Sequence, residues 1–179
     1  IGHSFVFGGD NPDVEEVPVG LLGADFEVAE GRYRIARVYR GESWNPELRA
    51  PLSGPGIDVS EGDYVLAVNG VPIDTTKDPY AAFDGLADQT VSLTVNSSPT
   101  TEGAREVLVE TLTSERRLRN RDWVESNRQR VLEASDGKIG YIFVPNTSIS
   151  GQTELVRQYH GQRHKEALII DERWNGGGQ

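Results

Sequence analysis

Few side chains in this 179-residue sequence are of the types that do chemistry, and the absences narrow the choice. There is no cysteine, which excludes thiolate metal sites, disulfides and a cysteine nucleophile. The histidines are His3, His160 and His164. A lone histidine such as His3 is by itself most often a surface residue. His160 and His164 stand four apart on an expected helix, a spacing that suits zinc. The residues between them are Gly161, Gln162 and Arg163, so the catalytic glutamate of a zinc protease helix is missing, and no third ligand is placed. No metal and no cofactor are expected. Gly176-Gly177-Gly178 is more informative. It follows Ile169-Ile170-Asp171, which reads as a strand, through Glu172-Arg173-Trp174-Asn175. Glycines after a parallel strand let backbone N–H groups point into the crevice at its carboxyl end. Such groups stabilise an oxyanion by about 3 kcal/mol per donor in the best-studied case. A phosphate-cradling loop is the rival and lacks the Gly-Lys-Ser/Thr that should follow. A plain connecting turn is the third reading.

The elements that would hold such a loop can be read from the pattern. Composition is that of a soluble domain, with 36% hydrophobic and 26% charged residues. The net charge of −10 opposes binding to phosphate backbones, so no nucleic acid partner is expected. No apolar run reaches the ~20 residues of a membrane span, and no leader-like segment opens the chain. The chain does not begin with Met, so its natural start is expected upstream. Arg32–Arg40 alternates as a strand, with Tyr33 and Ile35 on one face. Gly41–Gly62 is rich in proline and glycine and reads as loop with at most a short helix. Asp63–Val68 is an apolar strand that ends at Asn69-Gly70, a strong hairpin signal, and Val71–Ile73 continues it. Pro79–Leu86 reads as a short helix capped by Asp78. Val91, Leu93 and Val95 alternate, as do Val107 and Val109, on either side of a turn at Asn96–Gly103.

Texture changes after Leu112. Ser114–Ala134 has no glycine or proline and predicts a helix, capped by Ser114, with Leu118, Trp123, Val124, Val131 and Leu132 on its apolar side. Its many arginines are expected to form a solvated face. Ile139–Val144, Gly151–His164 and Ala167–Asp171 then read as strand, helix, strand: a βαβ unit with parallel strands. The fold class is mixed α+β, a β module followed by a connecting helix and the start of an α/β core.

Three parts of the chain, the PDZ-like one through two stretches, carry a resemblance to a known family. Gly62-Asp63-Tyr64-Val65-Leu66-Ala67-Val68-Asn69-Gly70 resembles the PDZ signature, and Gly20-Leu21-Leu22-Gly23-Ala24-Asp25-Phe26 the PDZ carboxylate-binding loop with its strand. His3-Ser4-Phe5-Val6-Phe7-Gly8-Gly9-Asp10 resembles the segment of the tricorn core proteases that bears their catalytic histidine. Ile169–Gly178 resembles their strand and oxyanion loop, shared more loosely by the tail-specific proteases. The order of all three is that of the tricorn family.

The resemblance implies a serine-type peptidase acting on oligopeptides. His3 would be the general base, and Gly176, Gly177 and Gly178 the backbone oxyanion donors. The family's serine before the histidine is Gly2 here, a departure that touches the relay beyond the base. Leu21, Leu22, Gly23, Ala24 and Asp25 would take a peptide carboxylate, an anion that needs converging N–H groups, and the strand edge would pair with the peptide backbone. A PDZ-like β-barrel module is expected at residues 19–112, a piece of the protease core and a linker at 1–18, and the incomplete catalytic domain at 113–179. The nucleophilic serine and its acidic partner would lie beyond Gln179, since Ser148 and Ser150 do not match the nucleophile's context, and the fragment alone would be inactive. A large homo-oligomer in the parent protein is a further implication; the expected location is cytoplasmic, with an extracytoplasmic one as the alternative. The alternatives are a non-catalytic PDZ adaptor that binds peptides, and a chymotrypsin-like protease with a regulatory PDZ module, whose order of parts differs.

Overall fold

The computed structural model describes residues 8–9, 14, 16–42, 45 and 48–178. His3 and the rest of the segment around it fall outside these residues, apart from Gly8 and Gly9. The chain divides into two compact units: residues 1–38 with 55–114, and residues 39–54 with 115–179.

The first unit is an antiparallel sheet. Its strands are β1 (Ala24–Ala29), β2 (Arg32–Val38), β3 (Tyr64–Val68), β4 (Val71–Pro72), β5 (Thr90–Asn96) and β6 (Arg105–Glu110), in the order β1-β2-β3-β5-β6 with β4 paired to β3. β3 has every residue buried, as a central strand should, and the alternation of β5 puts Val91, Leu93 and Val95 at 0% exposure. The β3–β4 turn is the one expected: Asn69 and Gly70 both adopt positive φ, 49° and 77°, the backbone that a two-residue hairpin turn demands. Leu21, before β1, pairs with Leu112, after β6, in a single bridge, so the two edges of the sheet meet there without closing a barrel. Two buried polar groups are satisfied internally. Asp63 receives Arg105 Nη2 at 2.6 Å, and Thr111 bonds the Leu86 carbonyl and the Gln89 amide. A short 3-10 helix, Pro79–Phe83, starts at Asp78, whose carboxylate accepts the Tyr80 amide at 2.8 Å. It is shorter and tighter than the expected helix over 79–86, and Phe83 buries its ring at the end.

The second unit holds α1 (Arg116–Ala134), β7 (Ile139–Phe143), α2 (Ile149–Gln162) and β8 (Ala167–Asp171). β7 and β8 run parallel, Ile139 opposite Ala167 through Phe143 opposite Asp171, so the expected βαβ unit forms. α1 differs at its start: the cap residue is Glu115 rather than Ser114. Glu115 is held by a different bond, accepting Arg119 Nε at 2.7 Å one turn along. Arg119, Arg121 and Arg128 pair with Glu115, Glu42 and Glu125 and are half-buried, so of the expected solvated arginine face only Arg116, Arg117 and Arg130 are exposed. α1 ends where Asp136 and Gly137 take positive φ and the Gly137 amide reaches the Leu132 carbonyl at 2.7 Å. Trp123 of α1 meets Phe143 of β7 edge to face, ring centroids 5.3 Å apart.

Candidate functional site

The glycine loop begins where β8 ends. Asp171, the last residue of β8, is buried, and its carboxylate collects four groups. The Tyr141 hydroxyl donates at 2.6 Å, the Arg173 amide at 2.9 Å, Arg173 Nε at 3.0 Å and Nη2 at 2.5 Å. These bonds, Arg173 foremost, hold the Asp171 carboxyl well below the usual carboxylate range. Burial and the adjacent carboxylate push the Tyr141 hydroxyl up to about 12. The Arg173 guanidinium also lies over the Trp123 ring, 4.9 Å from its centroid. The chain leaving β8 is therefore pinned before it reaches the glycines.

The next residues turn sharply. The Asn175 amide donates to the Glu172 carbonyl at 3.0 Å, and Trp174 between them has φ of 61° and is exposed. Asn175 then orders the loop with both ends of its side chain: Nδ2 donates to the Val144 carbonyl at 3.3 Å, and Oδ1 accepts the Gly177 amide at 2.7 Å. The Gly176 amide donates to the Pro145 carbonyl at 2.9 Å, and the Gly177 carbonyl accepts the Thr147 amide at 2.9 Å. The three glycines, alike in the sequence, thus differ in use. Gly176 and Gly177 commit their N–H groups to the loop's own structure, whereas Gly178 has no hydrogen-bond partner for its N–H among the described residues. Gly178 also passes close to the chain ahead of α2. A Cβ there would lie 2.6 Å from the Ser148 nitrogen, so a side chain cannot be accommodated without a shift.

Ser148 and Ser150 are tied to Asn146. Its Oδ1 accepts both hydroxyls, at 2.6 Å and 3.1 Å, together with the Ser148 and Gly151 amides. Two hydroxyls held this way organise the entry to α2. His160 and His164 are exposed, and no group of three or more metal-binding side chains occurs among the described residues. No described helix is long and apolar enough to cross a membrane.

In the first unit, Gly23 takes φ of 69°, and Leu22 and Ala24 are fully buried. Leu21 exchanges both backbone bonds with Leu112, at 2.9 Å and 2.8 Å, and the Gly20 amide donates to the Phe83 carbonyl at 2.9 Å. Asp25, half-buried, leads into β1, which is an edge strand. The Pro79–Phe83 helix runs alongside, and the Tyr80 hydroxyl donates to the Ala24 carbonyl at 3.1 Å.

Residues 20–114, more than half the chain, match the family described as the tricorn protease PDZ domain. The chain belongs to that family. It is 33% identical over 176 residues to the tricorn protease of Thermoplasma volcanium, covering 98% of this chain and 17% of that protein. It is 36% identical over 178 residues to a putative tricorn-like protease C-terminal subunit of Sulfurisphaera tokodaii, covering 98% of this chain and 20% of that one. A crystal structure of the tricorn protease superposes with a TM-score of 0.77 at 28% identity, over 90% of this chain and 15% of that one. The chain thus spans about a fifth or less of the length of these tricorn relatives. The expected family and the mixed α+β class hold. The roles of His3 and of Gly176–Gly178 are taken up below.

The sequence reading named the glycines and missed what shapes them. Asp171 was visible as a lone carboxylate closing an apolar strand, a signal for a buried, partnered charge. Its partner Tyr141 is 30 residues away on the neighbouring strand, and no local pattern links the two.

Proposed function

We propose that this chain is part of a serine-type peptidase that cleaves oligopeptides, with its PDZ module (19–112) between a histidine-bearing segment (1–18) and the start of the catalytic core (113–179). One observation carries the reading: the Gly178 N–H has no hydrogen-bond partner among the described residues, on the loop that follows β8 and is braced by Asp171 and Asn175, in a chain of the tricorn protease PDZ family. A peptide carbonyl placed there develops negative charge as it is attacked, and a fixed donor stabilises that charge with no reorganisation. Gly176 and Gly177 support the loop through their own bonds and leave Gly178 as the donor. His3 takes the proton from the attacking hydroxyl. The serine that attacks is supplied by sequence outside this chain, since Ser148 and Ser150 are engaged by Asn146.

The test is peptide hydrolysis by the full-length protein that contains this chain, with a fluorogenic oligopeptide. Gly178→Ala, which forces the loop off Ser148, lowers kcat by about 10²–10³-fold, as loss of one oxyanion donor does. His3→Ala lowers it by at least as much. The 179-residue chain alone gives no turnover. Wild-type rates in both variants would refute the assignment and leave a peptide-binding adaptor as the role of the chain.

A further inference from the structure

We infer that Gln158 and Gln162 of α2 stand in for a strand on the outer edge of β7, and that they keep this edge from pairing with the same edge of a second copy of the chain. The inference concerns the second unit alone and is independent of the peptidase reading.

Among the described residues β7 pairs with one strand, β8. The Val144 amide donates to the Asp171 carbonyl at 2.9 Å, and the Lys138 carbonyl accepts the Glu166 amide at 2.9 Å. The even-numbered residues therefore turn their backbone groups toward β8, and Ile139, Tyr141 and Phe143 turn theirs outward. Side chains meet these outward groups. The Ile139 amide donates to Ser135 Oγ at 3.0 Å. Gln162 bonds Tyr141 twice: Oε1 accepts the Tyr141 amide at 2.9 Å, and Nε2 donates to the Tyr141 carbonyl at 2.9 Å. Gln158 bonds Phe143 in the same way, at 3.3 Å and 3.2 Å. A carboxamide carries an N–H donor and a carbonyl acceptor, as a peptide group does, so each glutamine supplies what one residue of a neighbouring strand would.

The spacing explains how a helix can do this. Four residues of α-helix rise about 6 Å, and two residues of parallel strand rise about 6.6 Å. Glutamines four apart on α2, which runs back along β7, therefore fall opposite alternate residues of the strand. The strand position two beyond Phe143 is Pro145, which has no N–H to satisfy. The residue one turn earlier on α2 is Glu154, and its carboxylate accepts Gln158 Nε2 at 3.1 Å.

The covered segment is prone to pairing. Ile139-Gly140-Tyr141-Ile142-Phe143 has no charge and no proline, and Tyr141, Ile142 and Phe143 are buried. An apolar strand with an open ladder edge is a template for edge-to-edge association. Apolar packing does little to hold the cover, since the one buried residue of α2 is Gly151. The amide pairs set its place against β7.

The experiment uses the 179-residue chain, wild type, with Gln162→Ala alone, and with Gln158→Ala and Gln162→Ala together. Gln152→Ala, at an exposed position of the same helix, is the control. Amide hydrogen exchange is read residue by residue, and mass by sedimentation velocity, over a range of concentrations. In dilute Gln162→Ala the Tyr141 amide exchanges about fivefold faster, the factor of one ordinary hydrogen bond, while Ile142 and Phe143 keep wild-type rates. The dilute double variant shows the faster rate at both Tyr141 and Phe143. As its concentration rises it self-associates, and both amides regain protection. Wild type and Gln152→Ala show no concentration-dependent protection at these amides. An unchanged Tyr141 rate in Gln162→Ala overturns the inference, as does a folded double variant whose Tyr141 and Phe143 amides gain no protection with concentration. Circular dichroism confirms folding. If the double variant is unfolded, Gln162→Ala carries the test, with Tyr141 as the site of both the faster exchange and the protection gained with concentration.

Discussion

Asp171 offers the sharpest test of how the glycine loop is held. Replacing it by alanine removes the acceptor of the Tyr141 hydroxyl and the anchor of Arg173 together. The two losses differ in size. Tyr141 is 2% exposed, so its orphaned hydroxyl finds no water and costs about 1–3 kcal/mol. The Arg173 side chain is 61% exposed and returns to solvent, so its loss adds at most about 1 kcal/mol. The sum is about 1–4 kcal/mol for Asp171→Ala. Asp171→Asn keeps an oxygen for Tyr141 and loses mainly the charge, for about 1–2 kcal/mol. Native-state amide exchange at Ile142 and Ile170, which lie in β7 and β8, reads the effect within the second unit. A pH series adds a signed check. The Asp171 carboxyl is held below its ordinary value in the fold, so its contribution is complete above the unfolded value of about 4 and is lost as pH falls toward and through the depressed native value. The gap between wild type and Asp171→Asn is therefore constant near neutral pH and narrows below about pH 4. Equal losses for Ala and Asn, or losses under about 0.5 kcal/mol in both, would refute the claim that Tyr141 and Asp171 form a buried lock.

At the alkaline end the sign reverses. Tyr141 is raised to about 12, so the stability it gives is present below its unfolded value of about 10 and is lost as pH rises from there through about 12; ultraviolet phenolate titration should show late ionisation, and Tyr141→Phe should diminish it, leaving the contribution of Tyr64, which burial also raises. In the first unit, Gly20→Ala places a Cβ 2.8 Å from the Leu86 carbonyl oxygen and 3.1 Å from the Thr111 methyl. It should destabilise the PDZ module by about 1–3 kcal/mol in urea unfolding, the usual cost of overpacking.

Much of the architecture was legible along the chain because its signals are local. Alternation gave the strands around Ile35, Leu93 and Val107, and Asn69-Gly70 gave the hairpin, since only a few residue types tolerate its backbone. Asp78-Pro79 gave the start of the short helix. Helix limits were less legible. α1 has Glu115 rather than Ser114 at its N-cap position, and Glu115 pairs with Arg119, a side-chain contact that propensity does not weigh. The family was readable from the order of three motifs and agrees with the match over residues 20–114.

By itself the sequence determined the element types, the parallel βαβ unit and the presence of a glycine loop after a strand. It could not rank the three glycines, because their difference lies in segments far along the chain: Gly176 donates to the Pro145 carbonyl, and Gly178 passes close to Ser148. Nor could it show that Tyr80 reaches Ala24, 56 positions away. Periodicity and turn chemistry act over a few residues, whereas a hydrogen bond between distant segments exists only once packing has brought them together.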